Sequence, residues 1–214
     1  VACLDLFGAA IIPGLLRGLG DSALPRFPNS QRRAKALIAE TDPPETTEDA
    51  MSKTVYDFAA TAIDGTPRQL ADYEGKVTLI VNVASQCGLT PQYAGMQLLH
   101  QEYAPRGFAV LGFPANEFGA QEPGTNQQIK DFCMTRFNVT FDMFAKVNVK
   151  GSGIDPLFAF LTSPETTPKF SGEIKWNFNK FLIGKHGEVL ARFEPKVEPT
   201  SPEVKEAIER ALAS

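Results

Sequence analysis

Cysteine, histidine and tryptophan are all scarce in this sequence of 214 residues, which holds three, two and one of them respectively. With no Cys-x-x-Cys pair and no His/Cys cluster at ligand spacing, the dithiol motif of a disulfide oxidoreductase and a zinc site are both excluded. Three cysteines do not build a secreted disulfide framework either, so a reducing compartment, the cytoplasm, is expected. Basic residues are not in excess. Lys and Arg number 21 against 25 Asp and Glu, a formal net charge of -4, which argues against the positive face that nucleic-acid binding requires. Long apolar runs are missing as well. Leu4 to Leu16 is about a dozen residues, too short to span a bilayer, and it lacks the basic flank and cleavage pattern of a signal peptide; no stable membrane insertion is expected.

Residues 1–50 differ from the rest. Beyond Leu16 they mix prolines, arginines and a Thr/Glu/Pro-rich stretch from Glu40 to Asp49 without a sustained period, as in disordered or linker sequence. Met51-Ser52-Lys53 has the look of a natural start. Residues 1–50 are therefore expected to be either a poorly structured extension or sequence upstream of the true initiator, with one domain over residues 51–214.

Val77-Thr78-Leu79-Ile80-Val81-Asn82-Val83 is β-branched and apolar, too continuous for a strand with one wet face, and reads as a central strand covered on both sides. It stops at Ala84-Ser85-Gln86-Cys87-Gly88-Leu89. Thr90-Pro91 then opens a helix, with the threonine hydroxyl as the expected N-cap and proline at the first helical position. Cys87 is thus placed in a strand-to-helix loop, near unpaired N–H groups and the positive end of a helix dipole, both of which favour thiolate over thiol. A buried free cysteine is usually inert, but this one sits in a glycine-containing loop at a strand end.

The remaining sequence alternates strand and helix. Val55–Phe58 and Thr66–Leu70 flank the turn dipeptide Asp64-Gly65, predicting an N-terminal hairpin. A helix follows from Pro91 to Tyr103 with Tyr93, Met96, Leu99 and Tyr103 on one face, then a buried strand at Phe108–Phe113 and a helix from Thr125 to Phe137. Phe141 to Val149 reads as strand or irregular, Pro156 to Leu161 as a short helix. Phe181–Ile183 and Val189–Phe193 bracket a second hairpin, and a helix ends the chain. The pattern predicts an α/β fold: a central sheet with helices on both faces and a site outside the carboxyl ends of the strands, where Cys87 lies.

Because Thr90 stands where a dithiol protein has its second cysteine, the chemistry expected of Cys87 passes through a sulfenic acid. In peroxide reduction the thiolate attacks one oxygen and the departing oxygen needs a donor. His100 is thirteen residues further along, roughly 20 Å on a helix, and His186 is in a hairpin turn. The donors must then be neutral: Gln and Asn amides and the indole N–H. Two stretches supply them, Phe113-Pro114-Ala115-Asn116-Glu117-Phe118-Gly119-Ala120-Gln121-Glu122-Pro123-Gly124 and Lys175-Trp176-Asn177-Phe178-Asn179-Lys180-Phe181.

These motifs, with Asn82-Val83-Ala84-Ser85-Gln86-Cys87-Gly88, resemble the glutathione peroxidase family over essentially all of Lys53 to Leu212. The resemblance implies a thioredoxin-like fold with a central mixed sheet flanked by helices. By motif position it implies Cys87 as peroxidatic nucleophile, held and activated by Gln121, Trp176 and Asn177. It implies no metal and no cofactor, with glutathione or thioredoxin as reducing co-substrate in a response to oxidative stress. Many relatives carry a resolving cysteine in a Phe-Val-Cys-Thr-Arg-Phe-like segment. Here Phe132-Cys133-Met134-Thr135-Arg136-Phe137 has it one place early, so Cys133 is a candidate that faces about 100° away. Ala115 also stands where many relatives have cysteine, and Glu117 where glutamine is common. Lys175 and Lys180 are candidates to steer glutathione carboxylates or lipid head groups. The short connection between Leu161 and Trp176 resembles that of monomeric members with open sites that accept lipid hydroperoxides. A peroxide sensor that oxidises a partner protein through Cys87 is the alternative reading.

Overall fold

A computed structural model describes residues 53–214; the expectation for residues 1–50 lies outside the described residues. The centre is a five-stranded mixed sheet in the order β5-β4-β3-β6-β7. β3 (Val77–Val83) runs parallel to β4 (Phe108–Pro114), which in turn runs parallel to the two-residue edge strand β5 (Asp142–Met143). On its other side β3 pairs antiparallel with β6 (Lys180–Ile183), and β6 pairs with β7 (Val189–Phe193). β3 and β4 are buried at every residue, as their largely apolar sequence requires of strands covered on both faces.

Alternation along β3 divides the core. Val77, Leu79, Val81 and Val83 pack with Tyr93, Met96 and Leu99 of α1 (Gln92–Tyr103), Ile129 and Cys133 of α2 (Asn126–Phe137), and Val204 and Ile208 of α4 (Pro202–Ala213). Ile80 points the other way, toward Leu157, Phe158 and Leu161 of α3 (Pro156–Thr162) and the N-terminal residues Val55, Leu70 and Tyr73. α2 lies where the helix from Thr125 to Phe137 is expected, and its ends are closed locally: Thr125 and Gln128 form a reciprocal capping box, and Asn138 takes the left-handed C-cap conformation at φ 49°.

Two elements differ from the expectation. Val55–Asp57 is a 3-10 turn, not a strand. The Thr54 hydroxyl accepts the Tyr56 N–H at 3.2 Å and the Asp57 carboxylate accepts the Thr54 N–H at 2.6 Å, a local satisfaction of backbone donors that outcompetes extended pairing. The hairpin therefore starts later, with β1 (Ala59–Thr61) against β2 (Pro67–Gln69) around the Asp64-Gly65 turn. Of Phe141 to Val149, only the β5 residues form strand.

Candidate active site

Cys87 lies eight per cent exposed in the loop between β3 and α1. Thr90 closes this loop instead of capping the helix: its hydroxyl accepts the Cys87 N–H at 3.0 Å and donates to the Ala84 carbonyl at 2.8 Å. Pro91, already in helical conformation, makes the last step into α1. The Leu89 N–H, in the turn before α1, points back and donates to Cys87 Sγ at 3.4 Å.

The loop after β4 brings Gln121 alongside. Gly119 and Ala120 are both left-handed, at φ 67° and 53°, and this double turn carries Gln121 back until its carbonyl accepts the N–H of Gln86 at 3.0 Å. Asn116 secures the same loop by accepting the Glu122 N–H at 2.7 Å. Asn177, wholly buried, donates its amide to Gln121 Oε1 at 3.0 Å. With the oxygen so engaged, the Gln121 NH2 group is the end left to donate. The structure thus joins the sequence candidates Gln121 and Asn177 directly, and joins both to the Cys87 loop.

Trp176 is 40 per cent exposed, its ring tilted against Phe118 at 5.8 Å between centroids. Its backbone is gripped by a residue that the sequence reading passed over. Asn82, fully buried in β3, donates from Nδ2 to the Trp176 carbonyl at 3.2 Å and accepts the Asn179 N–H on Oδ1 at 2.9 Å; its own carbonyl accepts the Phe178 N–H at 2.6 Å. Phe178 between them is buried at φ 68°, a conformation that bulky residues adopt only where the surroundings enforce it. The available signal was one amide inside an apolar strand, since a buried amide must find partners.

An apolar cleft of about 320 Å3 opens beside Trp176, lined also by Leu89, Lys175, Glu194, Pro195 and Lys196. A second, of about 410 Å3, lies on the other side of the Cys87 loop between Ser85, Gln86, Glu122 and the α2 residues Gln128, Ile129 and Phe132. Lys175 is exposed at the rim of the first. Lys180 is not a surface charge: it is fully buried in β6, with Nζ donating to the carbonyls of Phe178 at 2.7 Å and Pro195 at 3.3 Å, so its expected role in steering substrate does not hold. Burial pushes its ammonium down to about 8, with Glu198 acting in the opposite direction.

That shift has a measurable consequence. Between pH 8 and the ordinary lysine value of 10.5, the unfolded chain holds a proton that the folded one has released, so stability rises with pH through this window. The stability of wild type minus that of Lys180→Met, from urea unfolding at pH 7.5 and pH 10, is expected to rise with pH by on the order of 3 kcal/mol. A difference that stays flat would contradict the shift.

Cys133 faces inward from α2, one per cent exposed, while the next residue, Met134, is 52 per cent exposed. Burial pushes the Cys133 thiol up to about 11 and Glu122 adds to this, with the neighbouring Tyr93 hydroxyl opposing. Glu122 is itself buried with neither carboxylate oxygen closing a hydrogen bond, and burial raises its pKa against the pull of Ser85 and Lys146. His100 packs edge-on against Phe141, and His186 lies in the β6–β7 turn. Among the described residues, no helix is long and apolar enough to cross a membrane.

Comparison with known proteins places these features in a family. The glutathione peroxidase family model matches residues 55–162. A hydroperoxy fatty acid reductase of Synechocystis sp. is 51% identical over 166 residues, covering 75% of this chain and 97% of its own length. Among solved structures, T. cruzi GPX1 superposes with a TM-score of 0.59 at 36% identity over 76% of this chain and 98% of that one. A thioredoxin-family thiol:disulfide interchange protein from Chlorobium tepidum, 18% identical, matches with a TM-score of 0.53 over 77% of this chain and 99% of that one, which shows the thioredoxin-like fold alone. With its thiol loop, amide pair and tryptophan loop assembled on that fold, this chain belongs to the glutathione peroxidase family.

Proposed function

We propose that the protein is a thiol peroxidase reducing hydrogen peroxide and organic or lipid hydroperoxides, with Cys87 as the nucleophile. One observation carries the reading: Sγ of Cys87 accepts the Leu89 N–H in the turn leading to α1, in a loop whose Gln86 N–H is held by the carbonyl of Gln121, a glutamine whose amide is oriented by Asn177. The thiolate attacks one peroxide oxygen, the O–O bond breaks, and sulfur is oxidised to sulfenic acid as the other oxygen leaves and takes up a proton to give water or alcohol. Gln121 and the indole of Trp176 are the neutral donors that stabilise the departing oxygen, and Asn177 holds Gln121 in place. Lys175, at the cleft rim, is a side chain available to attract an anionic group on the reductant or on a lipid.

The cycle closes with thiols. One reductant thiol condenses with the sulfenic acid, releasing water and forming a mixed disulfide, and a second releases Cys87 as the thiol. Glutathione or a thioredoxin supplies them, and the reading includes a cytoplasmic monomer. Peroxide consumption in steady state with each reductant is the direct test; no turnover with either would refute the proposal. A long-lived mixed disulfide with a single protein, without turnover, would favour the peroxide-sensor alternative.

Cys133 discriminates the routes. A resolving role would require this buried, largely protonated thiol to leave its packing as α2 opens. Cys133→Ser is therefore expected to retain glutathione-supported turnover within about twofold, while any loss falls on thioredoxin-supported turnover. Non-reducing mass spectrometry after peroxide treatment locates the product. A Cys87–Cys133 link together with a tenfold loss in both assays would put Cys133 in the cycle.

A further inference from the structure

The cleft beside Trp176 has two rims that belong to different parts of the chain. One is the Lys175-Trp176 segment leading into β6; the other is Glu194, Pro195 and Lys196, where the chain leaves β7. Leu89, whose N–H meets Cys87 Sγ, also lines it. Proline has no N–H with which to anchor the second rim. Its carbonyl accepts two side-chain donors instead, Gln92 Nε2 from α1 at 2.8 Å and Lys180 Nζ from β6 at 3.3 Å. Both donors are buried, at three and zero per cent exposure. The same Lys180 nitrogen donates to the Phe178 carbonyl at 2.7 Å, two residues beyond Trp176.

One ammonium thus ties both rims together. Burying it is costly unless its hydrogens are engaged, and an apolar side chain of similar length would fill the space without that cost. What an apolar replacement could not do is hold two carbonyls from separate segments, since hydrogen bonds from a charged donor are the stronger kind. Gln92 fixes the Pro195 carbonyl from the α1 side, so the rim is held from two directions. The cleft between the rims is lined by Trp176, Leu89 and Pro195, a surface that grips an apolar tail and offers nothing further to hydrogen peroxide.

We propose that Lys180, assisted by Gln92, is a specificity-determining positioning residue: by bridging the Phe178 and Pro195 carbonyls it sets the width of the Trp176 cleft and so the preference for hydroperoxides with an apolar tail. This rests on the peroxidase reading of Cys87. The test compares kcat/KM for a fatty acid hydroperoxide and for hydrogen peroxide, with the same reductant, in wild type, Lys180→Met and Gln92→Leu. The ratio of the two is expected to fall about tenfold in Lys180→Met and about threefold in Gln92→Leu, because contacts with the tail are lost while the chemistry at sulfur is shared. If Lys180→Met does not fold, Gln92→Leu decides alone. A wild type that reduces both substrates, with variants that lose both in equal proportion or leave the ratio unchanged, would overturn the inference while the peroxidase reading stands. A wild type that reduces neither would overturn that reading, and this inference with it.

Discussion

Cys87→Ser is expected to lower hydroperoxide reduction by on the order of 10³-fold or more, about 4 kcal/mol of transition-state stabilisation. The exchange of sulfur for oxygen is small in volume, a hydroxyl can still accept the Leu89 N–H, and the other loop hydrogen bonds at residue 87 are made by its backbone and by Thr90, so the fold is retained. What changes is the nucleophile. A serine hydroxyl beside the Leu89 N–H has no base to ionise it, since neither His100 nor His186 is placed in the loop cluster, whereas a thiol ionises with help from a few donors. Cys133 cannot substitute. Its thiol is buried and pushed up to about 11, leaving little thiolate near neutral pH. Turnover measured alongside a thermal melt separates lost chemistry from lost folding. A folded Cys87→Ser protein with more than a tenth of wild-type activity would remove Cys87 from the nucleophile's role.

The parts of the structure legible in the sequence are those in which a local pattern and the tertiary environment agree. The strands at Val77 and Phe108 are largely apolar because both faces are covered, and the capping box that opens α2 lies within the four residues Thr125–Gln128. Local reading failed where side chains redirected the backbone, as at Thr54 and Asp57, and where Thr90 turned its hydroxyl to Cys87 instead of to the helix. Long-range polar contacts were out of reach for a different reason. The Asn177–Gln121 hydrogen bond links positions 56 apart, and no period or spacing encodes it; the family resemblance brought those two residues forward, without their geometry. Lys180 is the sharpest case. A lysine near a functional motif reads as a surface charge, and only the chain path past Pro195 shows what it is buried against.

Asn82→Ala is expected to carry the largest effect of any substitution that leaves Cys87, Gln121, Trp176 and Asn177 in place. The wild-type side chain satisfies the Trp176 carbonyl and the Asn179 N–H at once, in a strand interior where water cannot replace it. Alanine leaves both groups unpaired, at roughly 1–3 kcal/mol each, so a loss of about 2–6 kcal/mol in stability is expected from urea unfolding. The strained Phe178 loses the clamps on either side, and its left-handed turn, which directs Asn177 toward Gln121 and Trp176 toward the cleft, is the first conformation to relax. Misplacing donors by about 1 Å costs on the order of 10²-fold in rate, so kcat/KM should fall by about that factor under conditions where the variant remains folded. Asn82→Asp separates the two contacts: its carboxylate still accepts from Asn179 but repels the Trp176 carbonyl. An activity between those of wild type and alanine would assign the remainder to the grip on Trp176. Stability lost without any loss of kcat/KM in either variant would show that Asn82 supports the sheet alone, and that the tryptophan loop finds its position by other means.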